Sequence, residues 1–420
     1  MNFNAFDNPY WKMTAKAIED SQRVANHLSN HLKTDHTSMH AVASDATESC
    51  IKYMQECIKH PWLTTKHSAE FGKNYFSVIK SAVFQVAGKS VEAVVEPERG
   101  DVRFKDEAWT NNAWFNFIKQ AYLVTAQAWL DSIHNVPGLD ESTRRRAEFF
   151  TRQLLNAASP SNYILTNPEL LSLTVKTKGA NLVQGFERFV KDLEQSADSL
   201  KITMTDDSAF QLGENIATTP GKVVYRCELF ELLQYTPTTD EVCETPLLII
   251  PPFVNKYYIL DLSEKNSYVR WAVEQGQTVF MVSWLNPTAD NRNIGFDRYV
   301  TEGVIHALEM VEKQTGQREV NAVGYCIGGT LLMTALAYMA GRRLKSRVKS
   351  ATLLTTLTDF SDPGDIGVFI DDHIIKAIVH QNNQMGYFDG RAMAVSFSKL
   401  RENSLYWNYF IQNYLKGESP

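Results

Sequence analysis

Cys326 stands at the centre of the sequence GYCIGG, residues 324–329, where its thiol could act as a nucleophile. An apolar stretch from Val320 precedes this sequence, and the small residues 330–341 that follow it predict a helix. Glycines around the central residue permit a sharp turn from strand to helix, which raises the central side chain above a sheet. The G-x-C-x-G pattern therefore predicts a nucleophile elbow. The alternative is a small buried side chain, a common role of a free cysteine.

Acyl transfer is the chemistry that such an elbow performs. The thiolate is the reactive form of a cysteine, and the positive end of the following helix dipole favours it at Cys326. The oxyanion of the intermediate needs backbone N–H donors, and the N–H after the nucleophile, that of Ile327, is one candidate. The loop PPFVNKYY, residues 251–258, follows a predicted buried strand, so the backbone of Val254 is the second candidate. A simpler alternative is that this loop is only a proline-stiffened connection.

An internal triad is a further possibility, because Cys326, Asp359 and His380 have the chain order nucleophile, acid, histidine. His380, however, closes an apolar helical stretch instead of following a final strand. We therefore favour a turn and a polar cap for these residues, and the two glycines within residues 359–372 make that segment bendable. His306 lies on the predicted helix before the elbow, and we expect it to be packed there.

The elements that would position Cys326 begin near residue 200. Continuous apolar runs separated by helices are typical of a parallel sheet that is covered on both faces. The sequence from about 201 therefore predicts an α/β domain of α/β-hydrolase type. Its predicted strands cover residues 223–232, 246–250, 278–284, 320–324 and 350–355, and its predicted helices cover residues 266–274, 300–313 and 330–341.

Residues 1–200 are predicted to form a mainly helical N-terminal domain. Apolar residues follow helical spacing before residue 75, and a longer helix is predicted over 170–199. Between them, residues 103–149 are rich in aromatic side chains within two helical stretches. Such a stripe usually belongs to a core, and the alternative is a binding surface. The second domain, 201–420, would be catalytic.

Composition excludes several classes of protein. The 42 basic and 48 acidic residues give a net charge of −6, and the basic clusters are short, so nucleic acid is not an expected partner. Five cysteines without a C-x-x-C pair indicate neither a disulfide framework nor a zinc site, and they fit a reducing cytoplasm. The first 16 residues lack the apolar segment of an ordinary signal peptide. The longest apolar run, near 246–254, is too short to predict a transmembrane segment.

Several motifs together resemble the class I polyhydroxyalkanoate synthases, in which a helical segment precedes the α/β domain. The motifs are NPYW at 8–11, RFKDEAW at 103–109, PP at 251–252 with NKYYILDL at 255–262, GYCIGG at 324–329, LTT at 354–356 with DF at 359–360, and WNY at 407–409 with NYLKG at 413–417. This resemblance extends over essentially the whole chain. It implies polymerisation of (R)-3-hydroxyacyl-CoA into a polyester with release of coenzyme A, with Cys326 carrying the growing chain. It implies no cofactor, metal or prosthetic group.

The resemblance also implies partners and a missing part. The partners are the 3-hydroxyacyl-CoA substrate, the growing polyester, the surface of cytoplasmic polyester granules, granule-associated proteins and a second copy in a homodimer. The family completes its site with an aspartate and a histidine downstream of the NYLKG motif, and the sequence has no matching positions before Pro420. We therefore expect a C-terminally truncated synthase that lacks its last strands and is inactive alone.

Two other functions remain open from the residues. A cysteine-nucleophile hydrolase or thioesterase would share the elbow and the oxyanion loop but would release its acyl group to water. A non-catalytic chain could instead bind granules or an intact synthase subunit through its helical region.

Overall fold

The computed structural model describes residues 16, 19–24, 37–196 and 200–420, which form two compact units. The helical unit comprises Met1–Asp206, Asp365–Ile378 and Arg391–Pro420, and the sheet unit comprises Asp207–Gly364 and Val379–Gly390. Segments after residue 364 are therefore divided between the two units, whereas the sequence predicts one catalytic domain from 201 to 420. That domain assignment stays a prediction. The NPYW motif at 8–11 and most of the helical pattern before residue 37 lie outside the described residues.

The first part of the helical unit is built from capped helices. Asn112, Asp140 and Asn167 each accept backbone N–H bonds at the start of a helix, which satisfies donors that have no partner within the helix. The helices are α1 Thr37–Lys59, α2 Pro61–Val86, α3 Ala108–Asn111, α4 Ala113–Asn135, α5 Glu141–Ala157, α6 Pro168–Lys176 and α7 Ala180–Gln195, with helical residues also at 19–24 and a 3-10 turn at Pro160–Asn162.

One predicted helix is two helices in the structure. The predicted segment 170–199 is interrupted between α6 and α7, where Lys178 and Gly179 have φ angles of 53° and 83°. Left-handed residues end a helix because the following N–H groups turn back to its last carbonyls. The prediction of one continuous helix is therefore wrong, since apolar spacing does not report a local reversal of φ.

The aromatic side chains of residues 103–149 divide between core and surface. Trp109 is 1% exposed and packs edge-on against Phe104, with 5.0 Å between the ring centroids. Trp114 and Trp129 are more than half exposed. The core interpretation therefore holds for Phe104 and Trp109, whereas Trp114 and Trp129 lie on the surface.

The sheet unit contains a mixed sheet. Within the described residues, six strands form it in the order β1-β2-β6-β3-β7-β8, and β4 pairs with β5 in a small hairpin. β1, β2 and β6 pair antiparallel, while β6, β3, β7 and β8 pair parallel. The strands are β1 Gly221–Arg226, β2 Phe230–Tyr235, β3 Leu247–Ile250, β4 Asp261–Ser263, β5 Asn266–Ser267, β6 Val279–Trp284, β7 Val320–Tyr325 and β8 Val348–Leu354.

The central strands are apolar throughout because both faces of the sheet are covered. In β3, Leu248 and Ile250 belong to one buried cluster, whereas Leu247 and Ile249 belong to the cluster on the other face. The predicted strands at 246–250, 278–284 and 350–355 correspond to β3, β6 and β8. The run at 223–232 is instead the antiparallel pair β1 and β2, since the chain turns between Arg226 and Phe230.

Helices alternate with these strands as the sequence predicts. The predicted helix 300–313 begins as a π-helix, Tyr299–Ile305, and continues as the regular helix α10. Among the described helices, none combines the length and the apolar composition needed to cross a membrane. The helices are α8 Tyr268–Glu274, α9 Phe296–Arg298, α10 His306–Thr315 and α11 Ile327–Gly341, and 3-10 turns occur at Asp207–Ala209, Tyr257–Leu260 and Ala289–Asn291.

The last part of the chain returns to the helical unit. Tyr414 donates its hydroxyl to Asp192 of α7 at 2.5 Å, and Asn413 donates its amide to the carbonyl oxygen of Thr203 at 2.6 Å. These bonds anchor the end of the chain to α7 and to the segment that follows it. The elements after β8 are a 3-10 helix at Gly364–Phe369, α12 Asp372–Met385, α13 Gly390–Leu400 and π-helices at Asn403–Trp407 and Phe410–Leu415.

Candidate active site

Cys326 occupies a strained turn between β7 and α11. Its φ and ψ angles are 54° and −128°, a combination that side-chain-bearing residues rarely adopt and that often marks a functional position. The Cys326 side chain is exposed, so the alternative of a buried cysteine is wrong. The strand, the turn and the helix that follows have the geometry of a nucleophile elbow.

The glycines of the elbow are explained by close backbone contacts. A Cβ on Gly324 would lie 2.4 Å from the Cα of Gly329, and one on Gly328 would lie 2.3 Å from the carbonyl oxygen of Ile250. Neither position leaves room for a side chain. The glycines therefore allow α11 to begin directly against β7 and against the end of β3.

The last residue of β8 and the short segment after it are bonded to the elbow. The Cys326 N–H donates to the carbonyl oxygen of Leu354 at 2.9 Å, and the Thr330 hydroxyl donates to that of Leu357 at 2.7 Å. Between them, the Thr356 Oγ1 lies 3.3 Å from the carbonyl oxygen of Cys326. Sequence reasoning assigned no role to Thr330 or Thr356; the only available signal was the LTT sequence at 354–356.

The two candidate oxyanion donors are placed differently. Ile327 is the first residue of α11, and its N–H has no hydrogen-bond acceptor among the described residues, so it is available to a ligand. Val254 is 44% exposed, in the turn that follows β3. Gly328 lies against the carbonyl groups of Ile250 and Pro251, so the beginning of that loop passes the first turn of α11. Both donor assignments stay predictions.

The candidate internal triad is not assembled. Asp359 accepts a hydrogen bond from the Ser361 N–H at 2.9 Å, and this bond lowers the pKa of its carboxyl group. His380 is exposed on α12, and its Nε2 lies 3.0 Å from the Gln384 amide. Across the described side chains, no hydrogen bond joins Asp359, His380 and Cys326. The local partners of the two residues fit the turn and polar surface that the sequence favours.

His306 is packed, as the sequence predicts. Its Nε2 lies 2.8 Å from the Tyr225 hydroxyl, and its ring lies against Phe230 at 6.4 Å between centroids. Both partners come from the β1 and β2 pair. The hydrogen bond and the ring contact give this histidine a structural role.

Comparisons with known proteins agree with this geometry. Residues 100–272 match the family described as "Poly-beta-hydroxybutyrate polymerase (PhaC) N-terminus", and residues 246–385 match the alpha/beta hydrolase fold family. A poly(3-hydroxyalkanoate) polymerase of Methylorubrum extorquens is 42% identical over 90% of this chain and 62% of that protein. The subunit PhaC of the Rhizobium meliloti polymerase is 41% identical over 92% of this chain and 63% of that protein. The subunit PhaC of Cupriavidus necator is 41% identical over 81% of this chain and 57% of that protein.

The mixed sheet with Cys326 at the turn from β7 to α11 defines a protein of the α/β-hydrolase fold, preceded by a helical region. The similarity to the polymerases extends through both regions. The chain is similar to polyhydroxyalkanoate polymerases over about 90% of its length, which confirms the resemblance that the motifs indicate. It spans about three fifths of the length of these relatives.

Proposed function

We propose that this chain carries the nucleophile of an acyltransferase that polymerises (R)-3-hydroxyacyl-CoA into a polyhydroxyalkanoate. The observation that carries this proposal is an exposed Cys326 at a strand-to-helix elbow in a chain similar to the polymerases. The names of the relatives supply the class of product. The position of Cys326 in the elbow supports a mechanism that proceeds through a covalent acyl-enzyme intermediate.

The first half-reaction loads Cys326. Its thiolate attacks the thioester carbonyl, and the carbonyl oxygen becomes an oxyanion that the Ile327 N–H and a backbone N–H near Val254 stabilise. Collapse of this intermediate breaks the carbon–sulfur bond to coenzyme A, which leaves as a thiolate. The acyl group is then held on Cys326 as a new thioester.

The second half-reaction extends the chain. The hydroxyl of another 3-hydroxyacyl group attacks the acyl carbonyl on Cys326, an ester bond forms, and the Cys326 thiolate is released. The proton of the attacking hydroxyl must pass to a base, and a positioned base is typically worth about 10²–10⁴-fold in rate. None of the described histidine side chains hydrogen-bonds Cys326. We infer that rapid turnover needs a general base other than these histidines.

The test is incubation of the purified chain with 3-hydroxybutyryl-CoA. Mass spectrometry of peptides should show the acyl group on Cys326, and sustained polyester formation is not expected without a positioned general base. Cys243→Ala is the matched control, because Cys243 is also exposed but lies outside the elbow. An acyl group on Cys243 alone would contradict the proposal.

The products also separate the alternatives. Free 3-hydroxybutyrate without polymer would show a thioesterase. Neither acyl-Cys326 nor product, with retained binding to polyester granules, would show a non-catalytic granule protein.

We also propose that the helical unit contacts the polyester surface. Phe76, Ile79, Val83 and Val86 follow helical spacing along one side of α2, and they are 67%, 43%, 61% and 78% exposed. A row of exposed apolar side chains of this kind marks an interaction surface. We call these four residues the α2 stripe. It fits a polyester, whose surface is largely apolar.

Point substitutions test this contact better than deletion of the helical region, since residues 413 and 414 are anchored on that region. Phe76→Ser with Val83→Ser should reduce cosedimentation with polyhydroxybutyrate particles. Leu154→Ser is the control, because Leu154 is 68% exposed on α5. Equal loss in both proteins would contradict the assignment to the α2 stripe.

The family resemblance also supports homodimers at cytoplasmic granules and contact with granule-associated proteins. We propose both. Sedimentation of the α2-stripe variant would show whether self-association uses the same surface. Fluorescence microscopy in polymer-accumulating cells would show the location.

A further inference from the structure

We propose that Thr356 is a positioning residue that orients the Ile327 N–H toward the acyl oxyanion. Its Oγ1 lies among three carbonyl oxygens, at 3.1 Å from Leu354, 3.3 Å from Cys326 and 3.4 Å from Gly324. The hydroxyl donates within this group of acceptors, all of which belong to the elbow or to the strand end beside it. This inference rests on the proposed acyl transfer at Cys326.

The geometry of one peptide unit connects Thr356 to the oxyanion. The carbonyl group of Cys326 and the N–H of Ile327 belong to the same planar trans peptide, so they point in opposite directions. Whatever holds the Cys326 carbonyl therefore also directs the Ile327 N–H. The Gly329 and Thr330 N–H groups donate to that carbonyl at 2.9 Å and 3.3 Å, and Thr356 adds a contact from outside the helix.

Two independent features bring Thr356 to this position. Thr355 has a φ angle of 46°, which is a rare conformation for a β-branched residue and turns the chain at the end of β8. A Cβ on Gly329 would lie 2.0 Å from the Thr356 Oγ1, so the absence of a side chain at 329 makes room for the hydroxyl. A strained residue and a glycine thus both serve the placement of one half-buried threonine.

The test compares two reactions of the Cys326 thiolate. Attack on p-nitrophenyl acetate forms a carbon–sulfur bond and an oxyanion, and collapse releases p-nitrophenolate. Alkylation by iodoacetamide forms a carbon–sulfur bond and releases iodide without an oxyanion. An oxyanion donor therefore affects the first reaction and not the second.

The experiment uses the full chain with Cys243→Ala, so that Cys326 is the one exposed thiol among the described cysteines. Thr356→Val should slow acylation of Cys326 by about tenfold and leave alkylation within about twofold, because misdirecting a donor costs part of the ~10²–10³-fold effect of removing one. Thr356→Ser should retain both rates. Thr334→Val is the control, since the Thr334 hydroxyl donates to the Thr330 carbonyl within α11 and does not reach the elbow.

Equal losses in acylation and alkylation would show a general structural role, and unchanged acylation in Thr356→Val would show no role. Both results overturn the inference, as does absence of Cys326 acylation by the aryl ester in the parent protein. Acylation by the aryl ester without acylation by 3-hydroxybutyryl-CoA would overturn the proposed substrate alone. The two proposals therefore fail in distinguishable ways.

Discussion

The N–H of Cys326 donates to the carbonyl oxygen of Leu354 across the β7–β8 pair at 2.9 Å, and Cys326 and the residue that follows Leu354 both have strained backbones. Cys326 and Thr355 have φ angles of 54° and 46°. A left-handed non-glycine residue costs about 1–3 kcal/mol, whereas glycine adopts this conformation at an entropic cost of about 0.5–1 kcal/mol. We therefore expect Thr355→Gly to stabilise the fold by about 1 kcal/mol in urea unfolding.

Lys178→Gly is the comparison for this prediction. Lys178 has a φ angle of 53° but no branch at Cβ, so its replacement should give a smaller gain than that of Thr355. A loss of stability in Thr355→Gly would show that other contacts of the threonine outweigh its strain.

The nucleophile assignment predicts a specific pattern of thiol labelling. Cys243 and Cys326 are exposed, and Cys50, Cys57 and Cys227 are partly buried. Cys326→Ala should abolish labelling by a thiol-directed acyl analogue, while Cys243→Ala should retain it. Undiminished labelling of the Cys326→Ala protein would refute the assignment. Cys326→Ser should acylate at least about 10²-fold more slowly, because a hydroxyl is a far weaker acid and depends on a general base.

Gly185 of α7 explains how the end of the chain fits the helical unit. A Cβ at this position would lie 1.8 Å from the carbonyl oxygen of Tyr414. Alanine favours a helix by about 1 kcal/mol over glycine, but the overlap would displace Tyr414 and its bond to Asp192. Loss of such a buried contact costs about 2–4 kcal/mol, so Gly185→Ala should be net destabilising.

The readouts are urea unfolding and proteolysis of residues 391–420. Gly72→Ala is the matched control, because a Cβ on Gly72 of α2 would have no atom within 4 Å. That substitution should stabilise by up to about 1 kcal/mol. The two glycine-to-alanine substitutions should therefore change the free energy of unfolding in opposite directions. A change in the same direction for both would contradict this explanation.

The sequence predicted the elements whose cause is local. β3 and β6 have continuous apolar residues because the sheet is covered on both faces, and a four- or six-residue run shows this directly. The turn at Cys326 was predictable because its glycines stand next to it in the chain. The same reasoning could not find the division between α6 and α7, which depends on the φ angle of Lys178.

Contacts between residues distant in the chain also could not be predicted from the sequence. The position of Thr356 depends on the reversal at Thr355 and on the empty space at Gly329, and neither alters the apolar pattern. The bond from Tyr414 to Asp192 joins residues 222 positions apart, so it could not be derived from spacing. The local pattern thus predicted the elbow at Cys326, while the long-range contacts around it could be seen only in the structure.

The N-cap of α5 should make part of the stability depend on pH. Asp140 accepts the Thr143 hydroxyl at 2.6 Å and the Thr143 N–H at 2.9 Å, and these bonds lower the pKa of its carboxyl below the ordinary 3.8. The ionised form is therefore the one that stabilises the folded state. Its contribution of about 1 kcal/mol is present above pH 3.8 and is lost as the pH falls through the lower folded-state value.

Urea unfolding between pH 7 and pH 3 checks this prediction. Asp140→Ala should be about 1 kcal/mol less stable than the parent at pH 7, and the difference should shrink in acid. Asp140→Asn should keep most of the cap without the pH dependence, because its amide oxygen accepts the same bonds but does not titrate. A constant difference between the parent and Asp140→Ala down to pH 3 would contradict it.

The outer edge of β8 should promote self-association. β8 is the last strand in the sheet order, and its five central residues, 349–353, are exposed. Unpaired N–H and C=O groups on an edge strand can bond to a strand of another molecule, and a lysine there opposes such pairing. Thr352→Lys should therefore reduce association at high protein concentration, measured by light scattering. Thr238→Lys adds the same charge in the exposed loop between β2 and β3. If both variants suppress association equally, net charge is the cause and the edge is not.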